Sequence, residues 1–415
     1  MKNNSYNVSG KFLKANQMLW KMSFLQKGRM LFYFIDKILL LGTAKRVKKE
    51  QYKCNSNRKK VLIVYNMALG DGIMFLGVAD HFRKLYPKEQ YELTIACQTA
   101  FKSLYEETGL FDYVLPFDFA GSIVNLKNRR NLFKKIREKQ YDIVIDPVGC
   151  DNCTTNVFVT NAVIAKEKIG VLDCTLPHVQ SPKWMLKKIY TKVIKLHEKN
   201  AHLIEFYSEF IRILGDNTCE AHPAEFPQIT LPFETPERFF IIFPTASMAV
   251  KRWPLSRYAY LAKKIQEETG MPLVVCGTNH DKPTIDQFLK LVPDLEVIDY
   301  IGKTSIREFI ELIGRAELVL TNDTSAYHIA VAKQCNVALI CGGYTYTRYA
   351  HYDYESKGYR NPVLICEKMK CYDCNNYCKY NNRDIFPCIE AITEEKAWNV
   401  VKTMIEKRPA MKSQP

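Results

Sequence analysis

Long apolar runs, a secretory signal and internal repeats are all missing from this 415-residue sequence, and each absence excludes a class of protein. No stretch of 18 or more apolar residues occurs, which predicts that no helix spans a membrane. No short basic segment leads into an apolar stretch with a small-residue cleavage site, which argues against secretion. Repeats of solenoid period are also missing, as are low-complexity tracts beyond the N-terminal arm. We therefore expect a globular protein of the cytoplasm.

Acidic residues are scarce in the first 60 residues, where only Asp36 and Glu50 accompany fifteen lysines and arginines. This segment carries +13 of the formal net charge of +15, so the charge distribution excludes a uniformly basic nucleic-acid-binding protein. Apolar residues recur at helical spacing between residues 11 and 41, with lysines between them. We predict that residues 1–58 form a basic amphipathic arm on an anionic membrane surface. The alternative for residues 30–41 is a helix packed on the protein's own core.

From residue 59 onward, short apolar runs alternate with helical patterns, which predicts parallel sheets covered by helices on both faces. Four prolines between residues 219 and 238 predict an interdomain linker at 221–238. The linker separates an N-terminal domain, 59–220, from a C-terminal domain, 239–392, and a last helix and tail occupy 393–415. In the N-terminal domain we predict strands at 61–65, 91–97, 114–117, 141–146, 157–164 and 168–171, and helices at 72–86, 126–139 and 187–214. In the C-terminal domain we predict strands at 239–243, 273–276, 295–299, 318–320 and 337–341, and helices at 255–269, 284–291, 305–313 and 327–333.

The stretch 318–332 predicts an anion-binding helix start. A strand ends in small polar residues at 321–325, and an apolar helical pattern then resumes. A helix start leaves backbone N–H groups unpaired and carries partial positive charge, which suits a phosphate. Asp323 and Thr324 can cap this helix, and His328 lies one turn further along. The alternative is a capped helix with a packed, hydrogen-bonded histidine.

A cation follows the first strand of the same domain. The apolar run 239–243 ends in a turn that contains Thr245 and Ser247, whose hydroxyls can hydrogen-bond phosphate oxygens. Lys251 comes next, just before a helix that Pro254 can open. Ligands of open α/β sheets bind at the carboxyl ends of the strands, so Lys251 is a candidate phosphate clamp. The alternative is a solvated lysine before a helix.

Several segments together resemble glycosyltransferase family 9, the heptosyltransferase-type sugar transferases of lipopolysaccharide core assembly. They are, in order, K-R-W-P-L-S-R-Y-A-Y-L-A, I-G-K-T-S-I-R-E-F-I-E-L-I and N-D-T-S-A-Y-H-I-A-V-A. Residues 61–64 and 67–73 are similar to the family's first strand and glycine-aspartate loop. The resemblance covers about residues 60–400. It implies the GT-B arrangement, in which two facing Rossmann-like, doubly wound domains bind the acceptor and the nucleotide sugar.

The resemblance also carries residue roles onto this sequence. It implies that Asp71, between Gly70 and Gly72, is the catalytic base, and that the glycines let the backbone approach a substrate; the alternative for Asp71 is an N-cap. Ser325 stands where the family commonly has glycine, which leaves the donor open, with heptose and ADP as defaults. The predicted catalytic residues are Asp71 and Lys251, and the predicted donor-binding residues are Thr245, Ser247, Lys251, Asp323, Thr324, Ser325 and His328.

Metal and cofactor motifs are scarce. No Asp-x-Asp pair, which usually clamps the cation of a metal-dependent transferase, stands at a strand end. We therefore predict a metal-independent enzyme without a cofactor, in which attack opposite the leaving group inverts the anomeric centre. The loop around Asp71 lacks the G-x-G-x-x-G spacing, which disfavours a nicotinamide-dependent oxidoreductase. A non-catalytic membrane-associated binding protein on a transferase scaffold is a third hypothesis.

Fourteen cysteines allow two interpretations. Nine are scattered along the chain, and several of these lie in strand-like runs. We interpret these nine as small buried apolar residues of a protein in a reducing compartment. The other five cluster near the C-terminus, where one cysteine is followed by four in a C-x2-C-x3-C-x9-C pattern. The thiolates of that pattern could bind zinc, although packed reduced thiols are the favoured interpretation. The five are Cys366, Cys371, Cys374, Cys378 and Cys388.

The predicted function is transfer of a sugar from a nucleotide-diphosphate donor to a lipopolysaccharide core or other lipid-linked glycan. The predicted partners are the donor, the lipid-linked acceptor and an anionic membrane surface, with no nucleic acid. The predicted location is the cytoplasm, with peripheral association at the inner face of the membrane.

Overall fold

The computed structural model describes residues 32–41, 57–118, 122, 125–150, 156–173, 181–197, 201–375, 378, 380 and 384–407. Most of the predicted basic arm, residues 1–31 and 42–56, lies outside these described residues. Within them, no helix has both the length and the apolar character needed to cross a bilayer. The chain divides into two compact units, residues 1–221 and 222–415.

The first unit is built on a parallel six-stranded sheet with the order β3-β2-β1-β4-β5-β6. This strand order is that of a doubly wound Rossmann sheet. Its central strand β1 is buried over its last four residues, as a strand covered by helices on both faces should be. The strands are β1 (Lys59–Val64), β2 (Tyr91–Gln98), β3 (Tyr113–Phe117), β4 (Gln140–Asp146), β5 (Ile164–Leu172) and β6 (Lys192–Lys195).

The described helices of this unit connect the strands and cover the sheet. They are α1 (32–41), α2 (Leu69–Leu76), α3 (Ala79–Leu85), α4 (Lys102–Glu106), α5 (Leu126–Ile136), α6 (Asn156–Ala162), α7 (Lys183–Ile189) and α8 (Leu203–Leu214). The predicted helix at 72–86 is interrupted at Gly77 and Val78, where α2 ends and α3 begins. Gly215 ends α8 with a φ of 129°, in line with a glycine stop after Leu214.

Two predictions for this unit are wrong. The predicted strand at 157–164 is the helix α6, because a short apolar run that is buried does not distinguish a strand from a helix. The predicted continuous helix at 187–214 is broken, and β6 lies between α7 and α8. Thr191 exchanges backbone and side-chain hydrogen bonds with Lys168 of β5, so sheet pairing overrides the local helical pattern here.

Helix α1 packs on the first unit, which is the alternative that the sequence left open for residues 30–41. The Asp36 carboxylate accepts two hydrogen bonds from the Arg129 guanidinium, at 2.5 and 2.6 Å, and both side chains are buried. Arg137 donates to the Leu40 carbonyl at 3.0 Å. Tyr33 packs among buried residues of α6 and α7. This helix is therefore held by specific contacts along one face.

The second unit repeats the same topology. Its sheet is parallel and has the order β12-β11-β10-β7-β8-β9, which is the first unit's order with six added to each strand number. The strands are β7 (Phe240–Phe243), β8 (Leu273–Gly277), β9 (Val297–Ile301), β10 (Leu318–Asn322), β11 (Val337–Ile340) and β12 (Val363–Ile365). The helices are α9 (Leu255–Thr269), α10 (Lys282–Leu289), α11 (Ile306–Arg315), α12 (Ser325–Ala332), α13 (Pro387–Glu390) and α14 (Glu394–Glu406).

The central strands of this second sheet are mostly apolar, and every residue of β7, β8, β10 and β11 is buried. Such runs are typical of parallel strands that are covered on both faces. Helix α11 begins with a capping box, in which Ser305 and Glu308 each accept a backbone hydrogen bond from the other. The strand prediction missed only the short edge strand β12 in this unit's sheet.

The strand order reverses between β7 and β10, which makes this pair the topological switch point of the second sheet. The register pairs Thr321 with Phe243, so the chain leaving each strand begins at the same level. Residues 222–238 form neither helix nor strand and lie along this unit. The Tyr300 hydroxyl donates to the Glu234 carbonyl at 2.6 Å, and Arg238 forms an ion pair with Glu317.

Candidate functional site

Asp71 of the first unit lies just beyond the carboxyl end of β1, beside the switch point between β1 and β4. Helix α2 begins at Leu69 with Ala68 as its N-cap, so Asp71 is inside the first turn and is not the N-cap. The partial positive charge of a helix start favours a carboxylate at this position. The residue is half-buried, so it remains accessible from solvent.

The backbone around Asp71 is held by a cluster of buried tyrosines. The Tyr65 hydroxyl donates to the Asp71 carbonyl at 2.8 Å and lies 3.0 Å from the Tyr207 hydroxyl. Burial, the other tyrosines and the nearby Asp71 charge raise the pKa of Tyr65 and Tyr105 well above the usual range. Both phenols therefore stay protonated at neutral pH, and the Tyr65 hydroxyl can act as the donor to Asp71.

Gly72 is also required for packing inside the unit. A Cβ at this position would lie 2.7 Å from the Tyr105 hydroxyl oxygen. The absence of a side chain lets α2 pack directly on Tyr105, so Gly72 supports the position of Asp71 through the protein interior.

In the second unit, Lys251 and Asp323 form an ion pair at the switch point. Lys251 follows β7 and Asp323 follows β10, and the Lys251 Nζ lies 3.0 Å from the Asp323 Oδ2. Their side chains are only 14% and 10% exposed. The ammonium also lies 4.7 Å from the centre of the Tyr344 ring, a favourable cation–π distance. A partly desolvated cation at the end of a central strand is well placed to meet an anionic ligand.

The carboxylate of Asp323 is kept ionised by its neighbours. Burial by itself would raise the pKa of Asp323, but the charge and hydrogen bond of Lys251, with nearby His328 and Tyr344, lower the pKa below its usual value. The buried Tyr344 hydroxyl lies beside the Asp323 carboxylate, which is why it helps to lower the pKa of Asp323. Burial raises the pKa of Tyr344 well above its usual value, and the nearby Asp323 carboxylate raises it further.

His328 is buried on α12, and its Nδ1 lies 2.8 Å from the Tyr352 hydroxyl. Burial lowers the pKa of His328 to about 4, with Asp323 opposing that shift and Lys251 adding to it. The imidazole is therefore neutral at pH 7. His328 is thus packed and hydrogen-bonded, as the alternative prediction states. It also lies close to the Lys251–Asp323 ion pair.

Asn322 joins the two strand ends of this site. Its Oδ1 accepts hydrogen bonds from the Trp253 backbone N–H at 3.2 Å and the Tyr258 hydroxyl at 2.9 Å. Its Nδ2 donates to the Thr245 carbonyl at 3.3 Å. The loop that carries Lys251 is thus fixed to the strand that precedes Asp323.

The start of α12 has backbone donors that its N-cap side chain leaves unbonded. Thr324 is the N-cap, but its side chain makes no capping hydrogen bond and its Oγ1 lies 3.3 Å from the Thr321 Oγ1. Ser325 is the first helical residue and is half-buried. Nor does Asp323 cap the helix, since its carboxylate pairs with Lys251.

The structure brings together most of the predicted donor-binding residues. Lys251, Asp323 and His328 interact with one another, and Thr245 is buried next to them through Asn322. Ser247 is exposed on the same loop. Asp71 belongs to the first unit.

Sequence reasoning missed Asn322, Tyr344 and Tyr352. Asn322 was part of the quoted N-D-T-S segment, and a polar residue at the end of a buried strand is the signal that could have singled it out. The two tyrosines lie in a tyrosine-rich stretch, 344–354, whose composition alone does not show which rings face the site.

The cysteine cluster lies beside Tyr344. Cys371, Cys374, Cys378 and Cys388 line one small pocket together with Tyr344 and Phe386. The eleven cysteines among the described residues are free thiols. In that same part of the chain, no group of three or more histidine, cysteine or acidic side chains is placed to hold a metal ion. A hydrogen bond with Cys341 lowers the pKa of Cys366 to about 6.

Comparison with known proteins supplies the family. The sequence profile of glycosyltransferase family 9 (heptosyltransferase) matches residues 129–377, more than half of the chain. The chain belongs to this family. Lipopolysaccharide heptosyltransferase 3 of Escherichia coli K12 is 24% identical over 235 residues, which cover 54% of this chain and 65% of that protein, just under two thirds.

Solved structures agree on the fold of this family 9 protein. The glycosyl transferase family 9 protein of Veillonella parvula superposes with a TM-score of 0.66 at 17% identity, covering 86% of this chain and all of the other. The ADP-heptose lps heptosyltransferase II of E. coli gives a TM-score of 0.61, also at 17% identity, with coverages of 84% and 99%. The predicted α/β class with two Rossmann-like domains of GT-B type is confirmed.

Proposed function

We propose that this protein is an inverting, metal-independent glycosyltransferase that moves a sugar from a nucleotide-diphosphate donor to a lipopolysaccharide core or other lipid-linked glycan. The observation that carries the proposal is the Lys251–Asp323 pair at the switch point of the second sheet. A cation that is largely withdrawn from water suits a leaving group that gains negative charge in the transition state.

The second unit would bind the donor. Its diphosphate would lie at the start of α12, where the N–H groups of Thr324 and Ser325 are available and the helix dipole is favourable. Lys251 would turn from Asp323 to the phosphate oxygens, with Thr245 and Ser247 as further hydrogen-bond donors. Asp323 would then accept hydrogen bonds from sugar hydroxyls, and the neutral His328 could donate one to either group.

The first unit would supply the base. Asp71 would take the proton of an acceptor hydroxyl as its oxygen attacks the anomeric carbon. The bond between that carbon and the diphosphate oxygen would break, and the electron pair would leave with the nucleoside diphosphate. Attack from the face opposite the leaving group inverts the anomeric configuration. Because no Asp-x-Asp pair follows a strand, the charge of the leaving group would be met by Lys251 and backbone N–H groups.

ADP-heptose is the default donor in this proposal. The E. coli structure with a TM-score of 0.61 is named as an ADP-heptose transferase of lipopolysaccharide, and the family is described as heptosyltransferases. The E. coli relative that matches 54% of this chain is also a lipopolysaccharide heptosyltransferase. These similarities support a heptose donor and a lipid-linked core acceptor.

Titration calorimetry with ADP, GDP, UDP and NAD tests the proposal, followed by a transfer assay with the corresponding sugar nucleotide. The proposal predicts binding of one nucleoside diphosphate and turnover of its sugar derivative. Preferential NAD binding would instead support an oxidoreductase. Nucleotide binding without transfer to any lipid-linked glycan would support a non-catalytic binding protein.

A further inference from the structure

One surface of the first unit exposes large apolar side chains next to each other. Phe34, Ile38 and Leu41 lie on the same face of α1, because they are spaced by four and three residues, and they are 54%, 70% and 71% exposed. Trp184 of α7 is 39% exposed and stacks on Phe34, with the ring centres 6.3 Å apart. We call these four side chains the apolar patch.

The helix that carries most of the patch is fixed on its opposite face. The buried Asp36–Arg129 ion pair and the bond from Arg137 to the Leu40 carbonyl attach α1 to the unit. Tyr33 packs edge-on against the same Trp184. The patch is therefore presented by an anchored helix whose buried face is already in use.

The two described segments that carry the patch expose charges of one sign. Segments 32–41 and 181–197 contain a single acidic residue, Asp36, and it is buried against Arg129. Their exposed charged residues are lysines, namely Lys37, Lys183, Lys187, Lys188, Lys192 and Lys195. The sequence on both sides of α1 is also basic, with six lysines and arginines and no acid in residues 1–31.

We propose that the apolar patch and its lysines form a docking surface for an anionic phospholipid membrane. Apolar side chains would enter the head-group boundary while the lysines meet lipid phosphates, as in helices that lie in the plane of a membrane. A second copy of this chain fits less well, because a twofold contact through this face would bring the same lysines against each other. The proposal extends the proposed function, since a lipid-linked acceptor resides in a membrane, but it concerns binding and not transfer.

Vesicle flotation tests the proposal. The full-length protein is mixed with phosphatidylcholine vesicles that contain 30% phosphatidylglycerol, or with pure phosphatidylcholine vesicles, in buffers of low and high salt. We expect binding to the anionic vesicles and its loss at high salt. The variants F34S/I38S/L41S and K187Q/K188Q/K192Q should each lose vesicle affinity by at least about tenfold.

The matched control changes exposed apolar residues elsewhere, as I213S/L291S/Y359S, and should leave partitioning within about twofold of the wild type. Circular dichroism and urea unfolding show whether each variant is folded. Quenching of tryptophan fluorescence by brominated lipids reports insertion directly, and W184F should remove part of the quenching seen in the wild type.

Three results would overturn the proposal. The first is equal vesicle binding by the wild type and the patch variant, and the second is equal affinity for neutral and anionic vesicles. The third is a patch variant that changes the sedimentation coefficient without changing vesicle binding, which would assign the surface to a second copy. Because vesicle binding is measured without donor or acceptor, failure of the proposed transfer reaction would not alter any of these readouts.

Discussion

Two side chains that follow β7 and β10, Lys251 and Asp323, form the proposed phosphate-binding site of the second unit. Lys251 is paired with Asp323 in the structure, and a diphosphate would compete for the same ammonium. Replacing Lys251 with methionine removes the cation and leaves the carboxylate, so both effects disfavour an anion. We expect ADP to bind K251M about tenfold to a hundredfold more weakly, since hydrogen bonds to charged groups contribute about 1.5–3 kcal/mol. Calorimetry measures this change.

The matched control for that variant is K263M, which removes an exposed lysine of α9 that has no part in the site. Its ADP affinity should equal that of the wild type. Unchanged ADP binding by K251M would refute the role of Lys251 as the phosphate clamp.

His328 gives the site a predictable pH dependence. Burial lowers its pKa to about 4, below its ordinary value of 6.5, so the unfolded chain binds the proton more strongly than the folded chain. The stability that this residue contributes is thus complete above pH 6.5 and is lost as the pH falls towards 4, by at most about 3 kcal/mol. Urea unfolding of the wild type and H328Q across this range should show their stabilities converging or crossing as the pH falls. Parallel profiles would contradict the assignment.

Prediction from sequence succeeded at this scale where a residue type implies its own chemistry. Lys251, Asp323 and His328 were singled out by their position after apolar runs, and the structure brings them together. Asn322 and Tyr344 act through contacts with distant parts of the chain. Those partners depend on tertiary packing, which spacing along the chain does not encode.

At the scale of single elements, Gly72 determines how α2 packs. An alanine Cβ would meet the Tyr105 hydroxyl at 2.7 Å. We expect G72A to lower the free energy of unfolding by about 1–3 kcal/mol, although alanine is otherwise the better helix former. The Y105F substitution removes the obstructing hydroxyl. In the Y105F background, G72A should therefore cost much less stability than it does in the wild type. An equal cost in both backgrounds would show that the close contact is not the cause.

The buried ion pair that anchors α1 is a second test of an element. Burial raises the pKa of Asp36 even though Arg129 lowers it, so the pair fixes the helix without a large net gain in stability. D36N or R129M should each destabilise the unit by about 3–5 kcal/mol, because a buried partner is left uncompensated. D36L/R129M should cost less than the sum of the two single changes. A double-mutant cycle by urea unfolding checks this, and additive effects would contradict it.

The elements of the second unit follow the sequence more closely than those of the first. Helix α9 occupies the predicted residues 255–269, because Pro254 precedes it and Gly270 ends it with a φ of 66°. In the first unit, the run at 157–164 has neither signal, and the stretch at 187–214 has only the glycine stop at Gly215. The pairing of β6 with β5 interrupts the stretch at 187–214, and single-sequence periodicity does not contain that information.

At the scale of the whole molecule, one topology occurs twice. Both sheets have the Rossmann strand order, and each carries a predicted functional residue after its first strand, Asp71 in one unit and Lys251 in the other. The alternation of strands and helices predicted this architecture, and the family profile agrees with it. The proposed reaction requires both residues to serve one substrate complex.

The most direct test of this central claim is the transfer rate of D71N, with ADP binding measured on the same sample. The account predicts that ADP binds within about twofold of the wild-type affinity, because the proposed nucleotide site lies in the other unit. It also predicts that kcat falls by about 10²–10⁴-fold, because general base catalysis is lost. Transfer by D71N at the wild-type rate would contradict the account.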